Sequence, residues 1–416
     1  MIKVYFIGIG NELLQGKIQD KNSHWLGRFL FKHNIYFSKS MQVRDEAADL
    51  SHALEIAQEE ADIIITSGGL GPTQDDLTKS IVANWLNLPI EESEAAKKIV
   101  VQQFEEKSRP YNEEKFDYHC IPEGFEALHN QVGYAPGLLY QNEKTKLMLL
   151  PGVPSEFQGL VSDHLLKLLP HSVKVQKNLI YKTWAIPESH IFNKLEPGLW
   201  EKLATYGTVS SLPHFSGVDI GVSVLADSLD QIKTSEEAVT LLMNQSQLGP
   251  SIWHVGEKLI EQRIHEVLTS MGKTLSTAES CTGGLIADKL TDLSGSSAYF
   301  LGSTITYATE SKVKLLGVNA QTIEKHNVVS EQVAGEMAEK VRAIYNSDFS
   351  ISTTGVAGPT GGSEKIPVGT VCIGIASKEK ITTRIFLLKG DRRTLKIRFA
   401  EFALHCLLEE LSRGSI

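Results

Sequence analysis

Residues 277–312 gather side chains that could carry chemistry: Glu279-Ser280-Cys281-Thr282-Gly283-Gly284, then Gly295-Ser296-Ser297, then Tyr307 and Lys312. A serine hydroxyl is a weak nucleophile until a neighbouring base removes its proton. Lys312 is a candidate base, because desolvation in a pocket lowers the pKa of an amine. Tyr307 would relay or position. His326, the other nearby base, stands in the polar run EKHNVVS and reads as a loop residue. Ser296 or Ser297 could be the nucleophile, and Cys281 is a rival. Each has a plainer reading: Gly-Ser-Ser as a turn, Lys312 as a solvated helix charge beside Lys314, and Cys281 as packing.

Gly283 and Gly284 precede a helix expected from Leu285, and a helix start offers N–H groups to a phosphate. Glu279, Ser280 and Thr282 would stand beside that anion. A second Gly-rich loop, residues 353–362, follows a strand and carries Gly355 and Gly358. Two similar turns lie near the N-terminus. Gly8 and Gly10, with Glu12, end one apolar run; Ser67, Gly68 and Gly69 end another. Paired carboxylates, Asp75 and Asp76, come next, and beside a phosphate loop they could hold Mg²⁺. Their plainer role is acidic charge in a first helical turn. The third glycine and downstream ribose acid of the dinucleotide fingerprint are not in place.

These loops need strands and helices to position them. Val4–Ile9 and 63–65 are continuous apolar runs, as expected of central parallel strands. Trp25, Leu26, Phe29 and Leu30 have helical spacing, as do Leu50, Leu54 and Ala57 after a candidate cap at Asp45. Alternating strands and helices predict a three-layer α/β domain over residues 1–170. Residues 171–250 read as a small α+β module, with six lysines against eight acids and no GxxG loop, and so with no electrostatic reason to bind RNA. Packing or a dimer interface is the expected role. From 251 to 416 the α/β pattern returns, with Ser330 and Asp391 as candidate helix caps.

Composition narrows the class. A chain of 416 residues with 42% hydrophobic and 22% charged content is globular and long enough for several domains. A net charge of −9 argues against a nucleic-acid-coating protein. Four scattered cysteines form no disulfide or zinc pattern. No apolar run approaches ~20 residues, so no membrane span is expected. The start MIKVYFIGIGNE reads as a first strand, not a signal peptide. A cytoplasmic protein with reduced thiols is expected.

The run TSGGLGPTQDDLT at 66–78, with GIGNELLQG at 8–16 and PGVPSE at 151–156, resembles the molybdopterin-binding fold of molybdenum cofactor biosynthesis. In its GLGPT, paired aspartates and threonine it is most similar to the N-terminal domain of the CinA (competence/damage-inducible) family. That resemblance implies ADP-ribose pyrophosphatase activity with a divalent metal such as Mg²⁺, carried by Gly68, Gly69, Asp75, Asp76 and Thr78. A large following domain makes cofactor assembly the less expected role.

Seven further motifs occur in order: TAESCTGG, GSSAYF, TYATESK, VSE, TGVAGPTGG, PVGTV and GDR. Together they resemble the CinA C-terminal domain, whose stand-alone form is the bacterial nicotinamide mononucleotide deamidase. The middle module is similar to the family's KH-like insert. The resemblance implies hydrolysis of nicotinamide mononucleotide to nicotinic acid mononucleotide and ammonia, with no metal. Ser297 would attack, with Ser296 as fallback; Lys312 would deprotonate it and Tyr307 would assist. Thr354 and loop amides would stabilise the oxyanion, and Gly283, Gly284 and Arg392 would hold the 5′-phosphate. The expected partners are those two nucleotides and a second copy in a homodimer, with no membrane and no direct nucleic-acid contact. The competing expectations are a non-catalytic binding protein of DNA uptake or damage, and a molybdopterin-handling enzyme.

Overall fold

The computed structural model describes residues 2–33, 35, 37–73, 76–142, 144–169 and 175–413. The chain divides into two compact units, Met1–Val175 and Gln176–Ile416.

In the first unit a six-stranded sheet runs in the order Phe37–Val43, Val4–Ile9, Ile63–Ser67, Lys146–Leu150, Gly137–Gln141, Phe125–Leu128. The first four strands are parallel and the last two join antiparallel. Every residue of Val4–Ile9 and Ile63–Ser67 is buried, because successive side chains point to opposite faces and both faces are covered. Leu26, Leu30, Phe157 and Leu160 pack on Val4, Phe6 and Ile65 on one face. Leu50, Leu54, Ile81 and Val82 pack on Tyr5, Ile7 and Ile64 on the other. This is the three-layer α/β arrangement. The register sets Gly8 beside Ser67, so both Gly-rich turns leave the same carboxyl edge of the sheet, where doubly wound folds keep their ligand crevice. Asp45 does not cap the helix Ala47–Glu60. Its Oδ2 instead accepts from the Asn11 N–H at 2.9 Å, across the mouth of that edge.

The second unit holds two sheets. One has four strands in the order Thr208–Pro213, Val218–Ala226, Val175–Thr183, Ile252–Val255, with the helix Leu229–Gln245 burying Ile232, Val239 and Met243. The other has five strands in the order Phe300–Ile305, Leu275–Glu279, Phe349–Gly355, Thr370–Ala376, Ile381–Leu387. Its first three are parallel and its last two antiparallel. The helix Glu331–Tyr345 covers one face through Val333, Met337 and Val341. The helices Ile260–Met271, Leu285–Thr291 and Arg392–Arg413 cover the other through Ile264, Ile286, Phe399 and Leu404. Ser330 accepts from the Val333 N–H, and Asp391 from the Thr394 N–H, each capping its helix. Gly272, at φ 59°, ends Ile260–Met271 in the left-handed conformation. His326 lies at the end of the helix Ala320–His326 and not in a loop.

The two sheets of this unit meet around His405 of the last helix. Trp184 stacks on its ring at 4.9 Å and Trp253 approaches it edge-on at 5.2 Å. Its Nε2 lies 3.3 Å from Ser216 Oγ. Burial pushes the imidazole pKa down to about 3, so it is neutral in the folded chain. Among the described residues, no helix is long and apolar enough to cross a membrane.

Candidate active site

In the second unit the strand Leu275–Glu279 ends at Ser280, and the parallel strand Phe300–Ile305 leads into the short helix Thr309–Lys314. Glu279 pairs with Ile305 in that ladder, so both segments leave at one height. Lys312 turns back beneath them and is only 1% exposed. Its Nζ lies 3.0 Å from Ser280 Oγ and 2.8 Å from the Thr306 carbonyl oxygen. Among the described residues no carboxylate pairs with it. Burial therefore lowers its pKa, against a weaker opposing effect of Cys281. Nζ donates to Thr306 O and to Ser280 Oγ, and on losing a proton its lone pair would face the Ser280 hydroxyl. That is the arrangement of a serine with its base.

Ser296 and Ser297 are placed elsewhere. They form the turn Ser296–Ala298, which feeds the N-terminal end of the strand Phe300–Ile305. Ser280, Tyr307 and Lys312 all follow C-terminal ends. A six-residue strand at ~3.3 Å per residue separates the two ends by about 20 Å. The expected pairing of Ser297 or Ser296 with Lys312 is thus corrected to Ser280 with Lys312. Cys281 lines the same cavity, but burial pushes its thiol up to about 12, so it carries no thiolate near neutral pH.

The cavity around this pair has a volume of about 400 Å³ and is walled by Tyr307, Thr354, Gly355, Gly358, Asn327 and Arg392. Several expected roles change. Glu279, fully buried, directs its carboxylate into the start of the helix Leu285–Thr291, accepting from the N–H groups of Gly284 (2.9 Å), Ile286 (3.2 Å) and Ala287 (2.9 Å). The helix start expected to hold phosphate is already occupied by this side chain. Thr282 bonds Thr353 behind the cavity. Gly283 and Gly284, at φ 63° and 97°, make the sharp turn that leaves Ser280 at the cavity wall. Thr354 Oγ1 donates to the Val328 carbonyl oxygen at 2.8 Å, so its proton is committed away from an oxyanion. Arg392 donates from Nη1 to Gly358 O (2.6 Å) and from Nη2 to the Tyr307 hydroxyl (2.5 Å), tying loop and tyrosine together across the opening.

In the first unit, Glu12, Gly68, Gly69 and Asp76 line a cavity of about 810 Å³. Gly68 sits at φ 120°, and a Cβ there would lie 2.4 Å from the Ile9 carbonyl oxygen. Gly8 and Ser67 line a neighbouring cavity of about 400 Å³. Ser67 Oγ accepts from Asn22 Nδ2, Thr78 Oγ1 donates to Gly68 O, and the Gly10 N–H donates to Val43 O, so these groups brace the turns. Asp75 lies outside the described residues. Asp76 Oδ2 accepts from the Thr73 N–H and hydroxyl, which leaves Oδ1 to the cavity. Among the described residues, no three His, Cys, Asp or Glu side chains gather into a metal cage.

Several cavity residues had no clear signal in the sequence. Arg109, Lys115, Phe116 and Tyr118 arrive from the irregular segment 107–119, and Tyr134 from that of 129–136. Arg109 stacks over Tyr134, 5.6 Å from the ring centre. Glu156 closes the PGVPSE turn; burial raises its pKa, and Asn130 Nδ2 donates to it at 2.7 Å. In the second unit the Asn327–Val329 wall comes from the VSE region.

The chain has the sequence characters of known proteins over nearly its whole length. Residues 257–411 match the CinA C-terminal domain, and residues 5–171 match the family described as "Probable molybdopterin binding domain". A protein named as competence-damage inducible from Caldanaerobacter subterraneus subsp. tengcongensis is 37% identical, covering 94% of each chain. A CinA-like protein from Chloroherpeton thalassium is 35% identical, covering 98% of each. A solved competence or damage-inducible protein from Enterobacter asburiae is 34% identical over 36% of this chain and 96% of its own, with a TM-score of 0.36. With full-length relatives above 30% identity and both domain types in order, the chain belongs to the CinA family.

Proposed function

We propose that the C-terminal domain is a serine amidohydrolase that converts nicotinamide mononucleotide to nicotinic acid mononucleotide and ammonia, with Ser280 as nucleophile and Lys312 as its base. The observation that carries this reading is the buried Lys312 Nζ, 3.0 Å from Ser280 Oγ, on the wall of a cavity of about 400 Å³. Ser280 Oγ attacks the carboxamide carbon while its proton passes to Lys312. Lys312 returns that proton to the leaving nitrogen, and ammonia departs from an ester on Ser280. Water, deprotonated by Lys312, then attacks the ester; the carboxylate product leaves and Ser280 regains its proton. No step uses a metal. The test is ammonia release from nicotinamide mononucleotide by the purified protein with chelator present. Loss in Ser280→Ala is expected; an unchanged rate in that variant sinks the assignment.

For the N-terminal domain we propose metal-dependent hydrolysis of the pyrophosphate of ADP-ribose. The cavity of about 810 Å³ sets aromatic rings beside Arg109 and Lys115, which suits a base and two phosphates. Glu156, buried with a raised pKa, would serve as an acid–base group. The residues fit Mg²⁺ in its usual phosphate-assisted mode, which needs one or two carboxylates, and not an all-protein cage. Asp76 would hold the ion, which would neutralise charge on the phosphate oxygens. Cleavage of ADP-ribose should require the metal and fail in Asp76→Asn. The match of residues 5–171 to a molybdopterin-binding family supports a second reading, pterin binding, and a pterin that displaces ADP-ribose without hydrolysis would favour it.

A further inference from the structure

Asn327 ends the helix Ala320–His326 at φ 75° and ψ 154°. Positive φ with so extended a ψ is a backbone region that only glycine enters readily, so a side chain is held there at a cost in strain. Asn87 and Asn346 also have positive φ, but with ψ of 44° and 40° they make the ordinary left-handed helix ending. Strain of the Asn327 kind persists only where surrounding bonds impose it, and it gathers at functional sites. Asn327 stands at one, because it lines the cavity of Ser280 and Lys312.

The bend is pinned from several sides. The Asn327 N–H donates to Ile323 O at 2.9 Å, and the Asn327 carbonyl oxygen accepts from Ser330 Oγ at 2.9 Å. The next carbonyl, Val328 O, accepts from Thr354 Oγ1 at 2.8 Å, which ties the segment to the strand Phe349–Gly355. The side chain is oriented as well, since Oδ1 accepts from the Val329 N–H at 3.2 Å. Only the oxygen of a carboxamide accepts from an N–H, so Nδ2 is the end turned away from that bond. Among the described residues Nδ2 has no hydrogen-bond partner. Lys312, Thr354 and Arg392, in contrast, already donate within the protein. A fixed, uncharged and unused donor is thus left on the cavity wall.

We propose that Asn327 is a specificity-determining residue whose Nδ2 donates to a hydroxyl oxygen of the substrate's ribose. This deepens the amidohydrolase reading and rests on it for the placement of the carboxamide at Ser280. With that end fixed, the sugar and the phosphate remain for the rest of the wall. A neutral amide suits a neutral hydroxyl, whereas a phosphate dianion calls for cations. The site then takes N-ribosylated pyridine carboxamides in preference to free nicotinamide.

The test compares nicotinamide mononucleotide with its 2′,3′-dideoxy analogue on wild type, Asn327→Gly and Asn327→Asp. Glycine enters this backbone region without strain and removes the amide. Aspartate keeps an acceptor for the Val329 N–H and removes the donors. Both variants should raise KM for nicotinamide mononucleotide about 3- to 10-fold, as expected for one neutral hydrogen bond, with kcat retained. Neither should raise KM for the dideoxy analogue, whose half of the contact is already missing. A wild-type KM in Asn327→Asp overturns the proposal, because the side chain then serves the turn alone. An equal loss for both nucleotides overturns it too, because packing or charge is then the cause. Should the glycine variant not fold, the aspartate variant decides by the same comparison. Calorimetric titration of the full chain with each nucleotide repeats the comparison without catalysis. If binding follows this pattern but wild type releases no ammonia, the ribose contact stands and the amidohydrolase reading fails.

Discussion

Replacing Lys312 with methionine keeps most of the volume of a side chain that is 1% exposed and removes its amine. Burial holds this pKa below its ordinary value of 10.5. Between the lowered value and 10.5 the unfolded chain binds one more proton than the folded chain. Wild-type stability therefore rises with pH across that window, at up to about 1.4 kcal/mol per pH unit. Below the window both states are charged and the folded chain bears the whole cost of burying the ammonium. Methionine removes this cost, so the stability of Lys312→Met relative to wild type should be greatest below that window, by up to about 1.4 kcal/mol for each pH unit by which burial lowers the lysine. The difference should shrink as pH approaches 10.5. Catalysis should move the other way, because loss of a general base costs about 10²–10⁴-fold. Wild-type ammonia release should also rise with pH through the lowered lysine pKa. Urea midpoints at several pH values, with ammonia release measured in parallel, supply both readouts. A variant that keeps most of the wild-type rate, or that is less stable at pH 7 with an unchanged pH slope, refutes the reasoning.

Ser297→Ala, at an exposed turn away from the cavity, should change ammonia release by no more than about twofold, in line with surface substitutions of ±0.5 kcal/mol; abolition would return the nucleophile to the Gly-Ser-Ser turn. His405, neutral when folded with a pKa of about 3 against 6.5 ordinarily, contributes stability that is present above pH 6.5 and lost as pH falls toward 3. The loss should run at about 1.4 kcal/mol per pH unit and be absent in His405→Phe, as acid-limb denaturation midpoints would show. Gly68→Ala places a Cβ 2.4 Å from Ile9 O at φ 120°, so it should cost about 1–3 kcal/mol in strain alone and lower ADP-ribose binding. A thermal melt matching wild type would mean the turn relaxes freely.

Much of the scaffold is written in short-range chemistry. Apolar runs such as Val4–Ile9 mark buried parallel strands, since only a strand covered on both faces needs every position apolar. Ser330, Asp391 and Gly272 mark helix ends through bonds that reach only three or four residues. The same local signals place Ser280, Tyr307, Lys312 and the 353–362 loop after strands, near one another in type and order.

What the sequence by itself determined, then, is which segments are strands and helices and that an amine, several hydroxyls and Gly-rich turns follow them. Which hydroxyl meets the amine was decided only by tertiary structure. Ser297 is nearer to Lys312 in sequence than Ser280 is, yet a strand runs between them and carries them to opposite edges of the sheet. Ser280 reaches Lys312 across 32 residues because their strands are parallel neighbours whose ends align at Glu279 and Ile305. Burial, which lowers the Lys312 pKa, and the occupation of a helix start by the Glu279 carboxylate are likewise properties of the packed chain. Side-chain spacing lists candidate groups; distance and desolvation, which set reactivity, exist only once the sheet has closed.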